Sequence, residues 1–156
     1  MDKLNKWLTL AANFGVIAGL VFLGFEIQQN TVSTRMAARE NATQGHIDYL
    51  GYLLNSTVLA QANKKLSNDQ PVDDLEDNQI RIFLQMRWRH YERVFYQYKN
   101  GLISDQEWTG FETGIIRSFR NENDLWRKSA LVWAADKERL SRQFVEYVED
   151  LRMGQE

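Results

Sequence analysis

The run from Trp7 to Phe25, WLTLAANFGVIAGLVFLGF, carries no charged residue and lies between Lys3 and Lys6 on one side and Glu26 on the other. As an α-helix it extends about 28 Å at ~1.5 Å per residue, close to the roughly 30 Å hydrocarbon thickness of a bilayer. Few folds absorb such a segment. It crosses a membrane, is removed as a secretory signal, or forms the buried core helix of a soluble bundle. The apolar run exceeds the ~7 to 15 residues usual for a signal peptide, and Leu23-Gly24-Phe25-Glu26 offers no small-residue cleavage site. The sequence therefore predicts a retained anchor over residues 1–27.

The rest of the chain has the composition of a soluble protein. Charged residues make up 26% of the total, so one segment carries the membrane signal and the protein is anchored, not polytopic. A formal net charge of -2 argues against nucleic acid as a partner, because phosphate binding needs an excess of Lys and Arg. The absence of cysteine excludes disulfides, thiolate zinc sites and cysteine nucleophiles. The length beyond the anchor suits one domain with its own core.

Helix-forming residues run on past Ile27 without proline or glycine as far as Gly45, which predicts a polar helical stalk over residues 28–46 and a domain over residues 47–156. Met36, Thr43, Ile47, Leu50 and Leu54 form the apolar stripe of this stretch, with packing expected to begin near Ile47. Asn55-Ser56-Thr57 supplies a turn and a cap for the segment VLAQANKKL, and SNDQPVDD, with the only proline at Pro71, is the clearest loop. A third helix should run from Asp73 or Asp74 to Asn100, with Gly101 as its terminator. Its apolar face comprises Ile80, Leu84, Trp88, Tyr91, Phe95 and Tyr98. Ser104-Asp105-Gln106-Glu107 is a capping box for a helix to Arg120 that presents Trp108, Phe111, Ile115 and Phe119. After a break over residues 121–123, Trp126, Leu131 and Trp133 mark a short helix; Leu140, Phe144, Tyr147, Val148 and Leu151 mark a final one. No segment alternates as a strand does. The fold class is all-α: an N-terminal transmembrane helix continuing into an irregular antiparallel bundle of four or five helices.

The anchor and its exit, through Trp7, Asn13, Gly15, Val16, Gly19, Glu26, Ile27, Gln29 and Asn30, resemble the start of a family of small bacterial single-pass membrane proteins of unassigned activity. RVFYQYKNGL, from Arg93 to Leu102, followed by Glu107-Trp108, is similar to that family's "YQY…GL…EW" region. The resemblance implies an N-terminal anchor with a helical domain and carries over no catalytic residue.

Several residues are candidates for function. Ala11, Gly15 and Gly19 form a small-residue stripe that would let two spanning helices approach closely, so the anchor is a candidate dimer face. Asn13, inside the apolar run, needs a local partner such as Thr9 or one across a dimer. His46 and His90 are the only histidines. Neither stands three residues after a glutamate, as a carboxylate-bridged dimetal bundle requires, so no metal site is expected. Arg87, His90, Glu92 and Arg93, together with Arg89, are the densest polar cluster on an otherwise aromatic helix. Ion pairing accounts for such a cluster, and a pocket for an anionic ligand or lipid headgroup is the sharper alternative. Of the five tryptophans, Trp7 sits at an end of the span, whereas Trp88, Trp108, Trp126 and Trp133 are expected in the core. There is no nucleophile elbow, P-loop or dinucleotide glycine pattern, and no cofactor is implied.

Lys3 and Lys6 before the span, against Arg35 and Arg39 after it and Glu26 at its edge, lean toward an inside N-terminus. The expected location is then the inner membrane with a periplasmic domain. The functional expectation is a non-enzymatic interaction or scaffold module whose partners are the bilayer and a second copy or another membrane protein. The alternative is a sensor or enzyme that uses the arginine and aromatic cluster of the third helix.

Overall fold

The computed structural model describes residues 2–120 and 124–154, with the side chains of Asp124 and Trp126 outside the description. The break expected over residues 121–123 and the core role expected of Trp126 therefore lie outside the described residues. Every long element described is a helix: α1 (Asp2–Asn55), α2 (Thr57–Ser67), α3 (Asp74–Lys99), α4 (Asp105–Arg117), α5 (Asp124–Asp136) and α6 (Arg142–Met153), with a 3-10 turn at Lys137–Arg139. The all-α expectation is met, with six α-helices among the described residues where the anchor and four or five more were expected. The chain divides into two compact units, residues 1–37 and 38–156.

The first unit is the N-terminal part of α1. It holds the one described helix long and apolar enough to cross a membrane, and none of that apolar window is buried. Phe14 and Phe22 are 74% and 70% exposed, which is unlike the core helix of a soluble bundle. Gly15 and Gly19 have open space around them. The Thr9 hydroxyl donates to the Asn5 carbonyl at 2.9 Å, and no bond between Thr9 and Asn13 is among those described. Further along, Thr31 and Thr34 likewise bond back to Ile27 and Asn30, which satisfies their hydroxyls within the helix.

The second unit is built on α3. Asp73 caps this helix by accepting from the Glu76 backbone N–H at 2.9 Å, and the Glu76 carboxylate returns to the Asp73 N–H at 2.8 Å. Lys65 from α2 meets the same buried carboxylate at 2.6 Å, tying the two helices at this end. At the other end Gly101, with φ of +69°, supplies the left-handed residue that ends α3. Ile80, Phe83, Leu84, Trp88, Tyr91, Val94 and Phe95 are buried along its length, against α2, α4 and α5. Ser104 and Glu107 form the expected capping box of α4, which stops at Arg117. Trp108, Ile115, Trp133, Phe144 and Val148 complete the core, while Leu131, one of the residues that mark the helix of α5, is exposed.

The domain end of α1 departs from expectation. Packing begins earlier, at Ala38 and Ala42, and continues through Tyr49, Tyr52 and Leu53. Tyr49 stacks on Phe83 with centroids 4.5 Å apart, and the Tyr52 hydroxyl donates to Gln79 at 2.6 Å. Ile47, Leu50 and Leu54 are instead 53%, 38% and 81% exposed. The approach is close at Gly45, where a Cβ would stand 1.7 Å from the Arg93 guanidinium and 3.0 Å from His90 Nδ1, and the face that carries Ala38, Ala42, Gly45 and Tyr49 is the one turned to the core.

Candidate functional site

Between α1, α3 and the end of α5 runs a groove of about 650 Å³. Its floor and sides are apolar and aromatic, from Tyr49, Ile82, Met86, Trp88, Val132, Trp133 and Leu140. Charged groups stand on its walls: Asp48 from α1, Arg89 and Arg93 from α3, and Asp136, Lys137 and Arg139 from the α5 end. Helical spacing on α3 explains the grouping, since Ile82, Met86, Arg89 and Arg93 lie three or four residues apart and share one face.

Most of these charges are paired. Arg89 meets Glu92 at 2.9 Å, Lys137 meets Glu149 at 2.8 Å and Arg139 meets Asp136 at 3.1 Å. Asp136 also accepts from Gln85 at 2.7 Å, which links α5 to α3. The Glu149 carboxyl is held below the usual carboxylate range by Lys137, with Trp133 Nε1 donating at 2.9 Å to the same oxygen.

His90 is 5% exposed and lines the groove. Its Nδ1 lies 3.3 Å from an Arg93 guanidinium nitrogen. A guanidinium only donates, so Nδ1 accepts and the imidazole is neutral, with its proton on Nε2. Burial lowers the pKa to about 4, and the charge of Arg93 and the neighbouring His46 add to the effect. The His46 and His90 rings are 5.9 Å apart, bringing the only two histidines together. His90 Nε2 has no hydrogen-bond partner described.

The four residues singled out from sequence divide. His90 and Arg93 share the groove. Arg87 points elsewhere, into the core, where its guanidinium donates to Ser118 Oγ at 3.0 Å and to Ser129 Oγ, joining α3 to the end of α4 and to α5. Glu92 accepts from the Ser141 backbone N–H at 2.6 Å and holds the start of α6. Ala11, Gly15 and Gly19 lie on the exposed first unit. Sequence reasoning missed Tyr49, Trp133, Asp136 and Lys137. The first shares one helix face with Ala38, Ala42 and Gly45 at spacings of three and four, but those small residues offer no apolar stripe that would single the face out; the others depend on how α5 meets α3.

Among the described residues no three His, Asp or Glu side chains converge as metal ligands. Comparison with family models, with curated proteins and with solved structures returns no match.

Proposed function

We propose that this chain is a single-pass inner-membrane protein whose helical domain is a non-enzymatic interaction module, with a second copy of the chain as its first partner. The observation that carries this reading is the exposed row Ile47, Leu50 and Leu54 on α1. Ile and Leu at alternating spacings of three and four make the seam of a parallel helix pair. An anchor at residues 1–27 would hold two copies in one bilayer in the same orientation, which favours a parallel pairing. The open stripe of Ala11, Gly15 and Gly19 offers the spanning helices a surface of the same kind. In this reading the helices of the domain form an irregular antiparallel bundle, and the lysines before the span favour a periplasmic side for it.

The chain has no cysteine, so one introduced thiol reports without ambiguity. Leu50→Cys in native membranes should give an oxidative dimer, whereas Gln143→Cys, exposed on α6, should not. Equal crosslinking of the two, or none from Leu50→Cys, overturns the reading.

A further inference from the structure

The geometry points to the groove between α1, α3 and α5 as a binding site for a monoanionic carboxylate with an apolar body, the carboxylate taken by Arg93. The four cations on its walls are unequal. Arg89, Lys137 and Arg139 each have a carboxylate within 3.1 Å. Arg93 has none among the described residues; its one described hydrogen bond is the contact with His90. A guanidinium presents paired N–H groups that match a carboxylate in two parallel bonds, and His90 occupies only one nitrogen of the three.

The seat of that guanidinium is built. Gly45 leaves room for it against the α1 backbone, where any side chain would collide with it. Neutral His90 supplies an acceptor that orients Arg93 and adds no second charge. Two features set the ligand class. Asp48, the wall carboxylate that only the neutral Gln44 amide meets among the described residues, opposes a second negative charge such as a phosphomonoester carries, which leaves a single negative charge. Tyr49, Met86, Val132 and Trp133 offer apolar surface to the remainder of the ligand, and about 650 Å³ lies inside the ~300 to 1,000 Å³ range of small-molecule sites. Ile47, Leu50 and Leu54 do not line the groove, so this site stands or falls separately from self-association.

The test uses the full chain in nanodiscs of phosphatidylcholine. 4-(4-Fluorophenyl)butanoate is titrated by fluorine NMR, with the corresponding alcohol and phosphate monoester as comparators. Saturable binding of the carboxylate is expected, at least about tenfold tighter than either comparator. Arg93→Gln should lose about tenfold or more in affinity, and Arg93→Lys should restore part of it, since a point charge cannot make the paired bonds. Gly45→Ala should weaken binding by displacing the guanidinium. Arg93 is exposed, and an unchanged thermal melt of Arg93→Gln will confirm that its fold is intact. Nanodiscs containing oleic acid separate two sources of the same chemistry: competition supports a membrane-borne fatty acid as ligand, and undiminished binding supports a water-soluble carboxylate. Equal affinity of Arg93→Gln, equal affinity for the alcohol, or no saturable binding overturns the proposal.

Discussion

The imidazoles of His46 and His90 face one another with ring centroids 5.9 Å apart, one exposed on α1 and the other buried on α3 beside Arg93. His90 stays neutral in the folded chain down to about pH 4, whereas an unfolded histidine protonates near 6.5. Above about pH 6.5 both states hold the same protons at this site, and stability is flat. Between about 6.5 and 4 the unfolded state binds more protons, so stability falls as the pH falls, and below 4 the contribution levels out. Denaturant unfolding across pH 4 to 7.5 should show this slope, and His90→Gln should remove the part due to this ring. An NMR titration of His90 with a midpoint near 6.5 would contradict it.

Tyr147 joins α6 to α4. Its hydroxyl accepts from the Trp108 indole N–H at 2.8 Å and donates to Glu112. Tyr147→Phe leaves both partners unsatisfied at a half-buried position and is expected to cost about 1–3 kcal/mol in equilibrium unfolding. Burial and the bond to Glu112 raise the phenol pKa, so this contact should survive to strongly alkaline pH.

Gly114 on α4 lies against Tyr91 of α3, where an added Cβ would stand 2.5 Å from the phenol oxygen. Gly114→Ala gains helix propensity worth about 1 kcal/mol but forces the Tyr91 ring out of its place, and overpacking of this kind costs about 1–3 kcal/mol. A lowered melting temperature is expected, and Tyr91→Phe in the same background should restore part of it.

The two capping boxes should behave independently. Asp73→Ala and Ser104→Ala each remove a side-chain acceptor from the first turn of a helix, and each should cost about 1 kcal/mol. The double variant should show the sum, because the caps share no partner.

Much of the domain could be read from the chain before any coordinates. Ser56, Asp73 and Ser104 start helices because a short polar side chain precedes a periodic apolar run, and Trp88, Trp108 and Phe144 are inside because each belongs to an apolar row spaced every three or four residues along its own helix. The buried face of α1 was not legible: Ala38, Ala42 and Gly45 carry little hydrophobic signal, while Ile47, Leu50 and Leu54 carry much and remain outside. Nor could the groove be assembled from sequence. His90 meets His46, Gln85 meets Asp136 and Arg87 meets Ser129 only through helix packing, and spacing along one helix says nothing of its neighbour.

Glu92 grips position 141 by its main chain, while the Ser141 hydroxyl is buried without a partner and caps nothing. The identity of the residue there is thus nearly irrelevant to how the last helix is docked, provided it keeps an amide hydrogen. Among natural variants position 141 should drift freely through small residues and shun proline, whereas position 92 should tolerate almost no replacement.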